Sequence, residues 1–91
     1  MKIIRLEILE ELTHLAGNEF GRFICSNQIL PFINENDKEI VIELPNHIEG
    51  VSIGFIQGLK SILDLNSKGI VVSFKAKSKK LEEKLISDYN Y

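Results

Sequence analysis

Strand-like and helix-like stretches alternating along 91 residues predict an α/β fold, namely one small domain over residues 1–91 with a three- to four-stranded mixed sheet and about three helices packed on it. Three observations carry this. Ile40, Val41, Ile42 and Leu44 form a β-branched-rich apolar run, which Pro45 ends because it has no N–H to donate to a ladder. After Ser52 the period becomes helical: Ile53, Phe55, Ile56, Leu59, Ile62 and Leu63 make a broad apolar face, with Gln57, Lys60, Ser61 and Asp64 on the opposite one. The third is size and composition, since 91 residues with 44% apolar and 26% charged content can build one core but not two.

Taken in order, Met1 to Leu9 admits two readings. Ile4, Leu6 and Ile8 alternate with Arg5 and Glu7 as in a half-buried strand, yet Ile4, Ile8, Leu12 and Leu15 also fit a helix ending near Gly17. Glu10 to Arg22 holds Gly17, Asn18 and Gly21 within a few residues and reads as a loop. Ser26 to Ile33 is expected to be helical, with Ile29, Phe32 and Ile33 on one face. Its regular part should begin near Gln28, so that Pro31 falls in a first turn where its missing N–H is harmless. Asn34 to Asp37 is a polar turn back to the Glu39 strand.

Beyond the strand, Asn46, His47, Glu49 and Gly50 supply turn chemistry, and Ser52 stands where a helix N-cap belongs. Asn66, Ser67, Lys68 and Gly69 read as a helix stop, and Ile70 to Phe74 as a short strand. Ser78 then caps a last helix with Leu81, Leu85, Ile86 and Tyr89 along one side. Strand, helix, strand, helix, strand, helix implies right-handed βαβ crossovers, with the crossover helices on one sheet face if the strands advance in one direction.

Composition excludes several function classes. A net charge of −2 provides no overall field for nucleic acid or an anionic membrane, and Lys75, Lys77, Lys79 and Lys80, followed by Glu82 and Glu83, read as a solvated helix start. Cys25 is the single cysteine and there are only two histidines, so neither an internal disulfide nor a typical zinc site is expected. Cys25 is expected to be a small buried apolar residue. No run is long enough to span a membrane and Arg5 and Glu7 interrupt the start, which makes the cytoplasm the expected location. With no phosphate-loop or dinucleotide glycine pattern and no paired carboxylates, an enzyme is not expected, and no cofactor or metal is called for.

The run VIELPNHIEGVSIGFIQGL, preceded by FGRFICSNQIL, resembles the STAS-like family of small bacterial domains, relatives of the anti-sigma-factor antagonists, over about Gly21 to Ser73. The resemblance implies a strand at the N-terminus and places Ser52-Ile53-Gly54-Phe55 at the family's serine-containing turn. By the same resemblance, Arg22 matches an entry to the first helix. In the antagonists the serine at this place is a phosphorylation switch, and an acidic residue usually precedes it. Here Val51 does, with Glu49 two positions further back. The partner implied is a histidine-kinase-like ATPase or an anti-sigma factor, meeting Asn46, His47, Glu49, Gly50, Ser52, Gly54 and Gln57.

Other readings accompany these residues. Ser52 as an ordinary N-cap needs no switch, and the same helix start suits a small anion or nucleotide in a regulatory subunit. Asn46 and His47 could hydrogen-bond a ligand at the carboxyl end of the strand, or could simply be solvated. Gly54 and Gly58, with Ser61, make a small-residue stripe against which another backbone can pack closely, the underlying sheet being favoured over a partner. A structural homo-oligomer, such as a homodimer joined at an open sheet edge or at the Leu81 to Tyr91 helix, is the third functional class.

Overall fold

The computed structural model describes residues 1–66 and 69–91; of the expected helix stop, Ser67 and Lys68 lie outside the described residues. In chain order the elements are β1 (Lys2–Arg5), β2 (His14–Leu15), α1 (Asn18–Ile24), β3 (Glu39–Glu43), β4 (Gly50–Val51), α2 (Ile53–Asn66), β5 (Val71–Lys75) and α3 (Lys79–Tyr89). The α/β class is as expected. Every described strand pairing is parallel, in place of the mixed sheet anticipated.

The Glu39 run becomes the middle strand because it is apolar enough to be covered. The main sheet runs β1-β3-β5, with Ile4 beside Ile42 and Ile42 beside Phe74 in register. Leu44 lies one residue past β3, yet its N–H still donates to the Lys75 carbonyl at 2.8 Å, so the ladder ends at Pro45 as the missing donor requires. Alternation decides the rest. Ile4, Ile40, Ile42, Val72 and Phe74 point into the core, while Ile3 and Val71, 49% and 61% exposed, lie on the outer face with Arg5, Glu43 and Lys75. The strands advance in one direction and the helices cover the inner face, leaving an open two-layer α/β fold.

Of the two readings of Met1 to Leu9 the strand is the one found, over Lys2–Arg5. The expected loop from Glu10 to Arg22 is corrected, because β2 lies within it and α1 begins in it at Asn18. Gly17 (φ 96°) sits just before α1 in the left-handed region, as a turn glycine should. Gly21 is different, lying inside the helix because α2 passes so closely that a Cβ there would fall 2.1 Å from the Phe55 carbonyl oxygen.

The expected helix at Ser26 to Ile33 beginning near Gln28 is likewise corrected. Helical structure begins at Asn18, widens into a π turn over Cys25–Ile29 and tightens into a 3₁₀ turn over Leu30–Phe32. Pro31 does lie in a first turn, that of the 3₁₀ segment, where it removes no needed donor. Phe32 is 58% exposed and not on a buried face.

On α2 the expected apolar stripe holds for Phe55, Ile56, Leu59 and Leu63, whereas Ile53 is exposed and Ile62 half-buried. Ser78 caps α3 as expected, its Oγ accepting from the Leu81 N–H at 3.2 Å. Leu81, Leu85 and Tyr89 are buried, with the Tyr89 ring edge-on to Phe74 at 5.8 Å between centroids. Ile86, expected beside them, is 36% exposed at the margin.

Candidate functional site

In parallel βα units the helix N-termini gather at the carboxyl end of the sheet, and Ser52 stands there. Its Oγ accepts from the Phe55 N–H at 3.3 Å, and its carbonyl accepts the first helical bond from Ile56 at 3.4 Å. Ser52 is therefore the N-cap of α2. The residue is exposed, and its hydroxyl proton remains available to another acceptor.

What holds this turn is a second ladder. β2 and β4 pair in parallel, His14 beside Gly50 and Leu15 beside Val51. The Ser52 N–H donates to the Leu15 carbonyl at 2.8 Å, and the Glu49 and Gly50 N–H groups converge on the Thr13 carbonyl at 2.7 and 3.3 Å. Gly50 lies against His14, whose exposed ring would have to turn aside for a Cβ that would otherwise fall 2.7 Å from its Cδ2. His14 is in turn hydrogen-bonded through Nδ1 to Thr13 Oγ1 at 3.0 Å.

The other expected residues divide. His47 is half-buried and its Nε2–H donates to the Leu9 carbonyl at 2.9 Å, so the ring pins the loop after β1 to the loop before β4. Glu49 is exposed and pairs with Lys77 at 3.5 Å, while Asn46 is exposed at the tip of the loop. Gly54 has room for a Cβ, which would sit in ordinary contact at 3.8 Å from Asn18 N and Ser52 Oγ. Gln57 lies a turn further on, in a polar groove of about 300 Å³ between α2 and α3 that Lys60, Asp64 and Asp88 also line. The loop and Ser52 thus come together, with Gln57 at their margin.

The glycine stripe is corrected. Gly58 packs against neither the sheet nor a partner but against α1, where a Cβ would fall 2.2 Å from the Asn18 carbonyl oxygen. Gly54 meets the same start of α1 more loosely, a Cβ there lying 3.8 Å from Asn18 N, and Ser61 spends its hydroxyl on the Gly58 carbonyl at 3.0 Å.

Two residues reach the site that sequence reasoning did not place there. Lys84 on α3 donates to the Val51 carbonyl at 2.9 Å and pairs with Asp88 at 2.7 Å. Lys77, read as part of a solvated helix start, meets Glu49. The spacing of Lys84 and Asp88 signals their own pair, but neither lysine's approach to the Ser52 turn has a local signal. Away from the site, Cys25 is buried and its thiol is pushed up to about 12 by burial, which keeps it protonated and unreactive. Among the described residues no group of three or more His, Cys, Asp or Glu side chains could hold a metal ion, and no helix is long and apolar enough to cross a membrane.

Comparison of the chain with protein-family models, with curated proteins and with solved structures finds no match.

Proposed function

We propose that this chain is a non-enzymatic regulatory domain of the STAS-like kind, acting in the cytoplasm by binding a protein partner at the start of α2. The partner class is a histidine-kinase-like ATPase or an anti-sigma factor, and phosphorylation of Ser52 gates the contact. The observation that supports this reading is an exposed Ser52 capping α2 beside a loop braced from both sides. A braced loop offers a partner a preformed surface, so little ordering entropy opposes binding.

The chemistry of the gate follows from charge. A phosphate on Ser52 adds close to two negative charges at the positive end of the α2 dipole, which tolerates them in the free domain. Lys84, whose amine already lies on the carbonyl of the preceding residue Val51, is a cation that can be drawn to it. A partner that makes neutral contacts with the turn would meet that charge and be expelled. Gln57 and the outer residues of α2 extend the docking surface.

The test is a pull-down with wild type and Ser52→Asp as parallel baits, with mass spectrometry of the bound proteins and of residue 52. An ATPase or anti-sigma protein held by wild type and lost by Ser52→Asp is the expected result. Equal binding to both baits, or unmodified Ser52 with no such partner, would overturn the proposal.

A further inference from the structure

Among the described residues β1 pairs on one side only, and we infer that its outer edge docks an extended, acidic and apolar segment of a partner protein by strand addition. The inference is independent of Ser52.

The backbone of β1 shows which groups are available. The Leu6 N–H donates to the Glu43 carbonyl at 2.9 Å, and successive residues of a strand turn their backbone groups to opposite sides. Ile4 and Leu6 therefore face β3, and Ile3, Arg5 and Glu7 face outward. Glu7 verifies this, because the Gln28 side-chain amide approaches it from outside, its Oε1 accepting from the Glu7 N–H at 2.6 Å and its Nε2 donating to the Glu7 carbonyl at 2.9 Å. One side chain thus already stands in for a neighbouring strand. Ile3 and Arg5 have no such cover, since among the described residues β1 pairs only with β3.

Along these two residues runs a groove of about 290 Å³, lined by Lys2, Ile3, Ile4, Arg5 and Phe32. The phenyl ring of Phe32, 58% exposed, flanks it on the helix side, and Ile3, 49% exposed, on the open side of the sheet. An added strand would place alternate side chains against these two apolar surfaces while its backbone met the N–H and C=O groups of Ile3 and Arg5.

Charge selects the occupant. Lys2 and Arg5 are the cations that line the groove, with the carboxylates of Asp37, Glu43 and Glu7 around them; Lys2 is held by Asp37 at 3.1 Å and by the Phe32 carbonyl, whereas Arg5, its side chain 75% exposed, meets Glu43 at 3.3 Å in a surface pair that exchanges readily. A carboxylate on the incoming strand finds Arg5 beside it. A second copy of this chain does not suit the site: antiparallel pairing of two β1 edges about Ile4 would set the two Arg5 side chains on one diagonal, and cationic edges are a known guard against such pairing.

Fluorescence anisotropy tests this with a labelled short peptide of alternating valine and aspartate, added to the full chain. Saturable binding is expected, weakened at least about tenfold by Ile3→Pro, which removes an outward donor and blocks the edge. Phe32→Ser and Arg5→Glu keep the test open if Ile3→Pro does not fold; both should weaken binding, and Arg5→Glu should shift preference to a valine–lysine peptide. Absence of saturable binding, or equal affinity in wild type and all three variants, would overturn the inference. So would sedimentation showing a wild-type dimer that Ile3→Pro converts to monomer, because the edge would then belong to a second copy.

Discussion

Gly21 on α1 and Gly58 on α2 each make room for the other helix's backbone: a Cβ on the first would lie 2.1 Å from the Phe55 carbonyl oxygen, and one on the second 2.2 Å from that of Asn18. Two helices meeting this closely align side chains on both flanks, including the tilted Phe20–Phe55 pair at 5.5 Å between centroids. That crossing fixes how α2 lies on the sheet and hence where Ser52 emerges.

Alanine at the glycines of α2 should therefore act in opposite directions. Gly58→Ala inserts a methyl group against backbone, which cannot rotate away, and overpacking of this kind costs roughly 1–3 kcal/mol, more than the ~1 kcal/mol gained in helix propensity. Gly54→Ala places its methyl group in ordinary contact, 3.8 Å from its nearest neighbours, and should stabilise by up to about 1 kcal/mol. Urea unfolding of the two variants checks this, and a Gly58→Ala protein as stable as Gly54→Ala would show that the helices do not meet as closely as described.

The same contact explains why the first helix was not legible. Gly17, Asn18 and Gly21 carry loop composition, and Gly21 is a glycine for a reason that lies more than thirty residues away, in α2. The stretch from Glu39 to Leu65 was legible because its signals are local: a β-branched run, a proline stop, a capping serine and a change of period. β2 and β4, of two residues each, are too short to show any period, and the ladder that braces the candidate site was invisible for that reason. Glu49 and Ser52 could be picked out as turn and cap, but Lys77, Lys84 and His14 join them only through tertiary packing.

Ser52 has a structural duty separable from its proposed regulatory one. Ser52→Ala removes the acceptor for the Phe55 N–H and should cost about 1 kcal/mol, the usual loss of an N-cap. Ser52→Asp retains an acceptor and adds charge favourable to the dipole, so its urea midpoint should stay close to wild type. If Ser52→Asp unfolds as easily as Ser52→Ala, its loss of a partner would report on folding and not on charge.

Tyr89 links the packing of α3 to alkaline pH. Burial, then the Asp64 carboxylate, then Cys25, push its phenol from 10.0 up to about 12, while the Lys60 amine lies 5.4 Å from the ring centroid. Because the folded value is raised, this contribution to stability is complete below pH 10 and is lost as pH rises from 10 towards 12, where the unfolded chain releases a proton that the folded chain keeps. The chain has two tyrosines, so a Tyr91→Phe variant leaves Tyr89 as the only phenol whose ionisation is seen in near-ultraviolet absorbance. That variant should ionise near 12 while folded, and a further change of Tyr89→Phe should flatten the fall in urea midpoint between pH 10 and 12. Ionisation of the folded variant near 10 would mean that α3 does not bury this ring against Phe74.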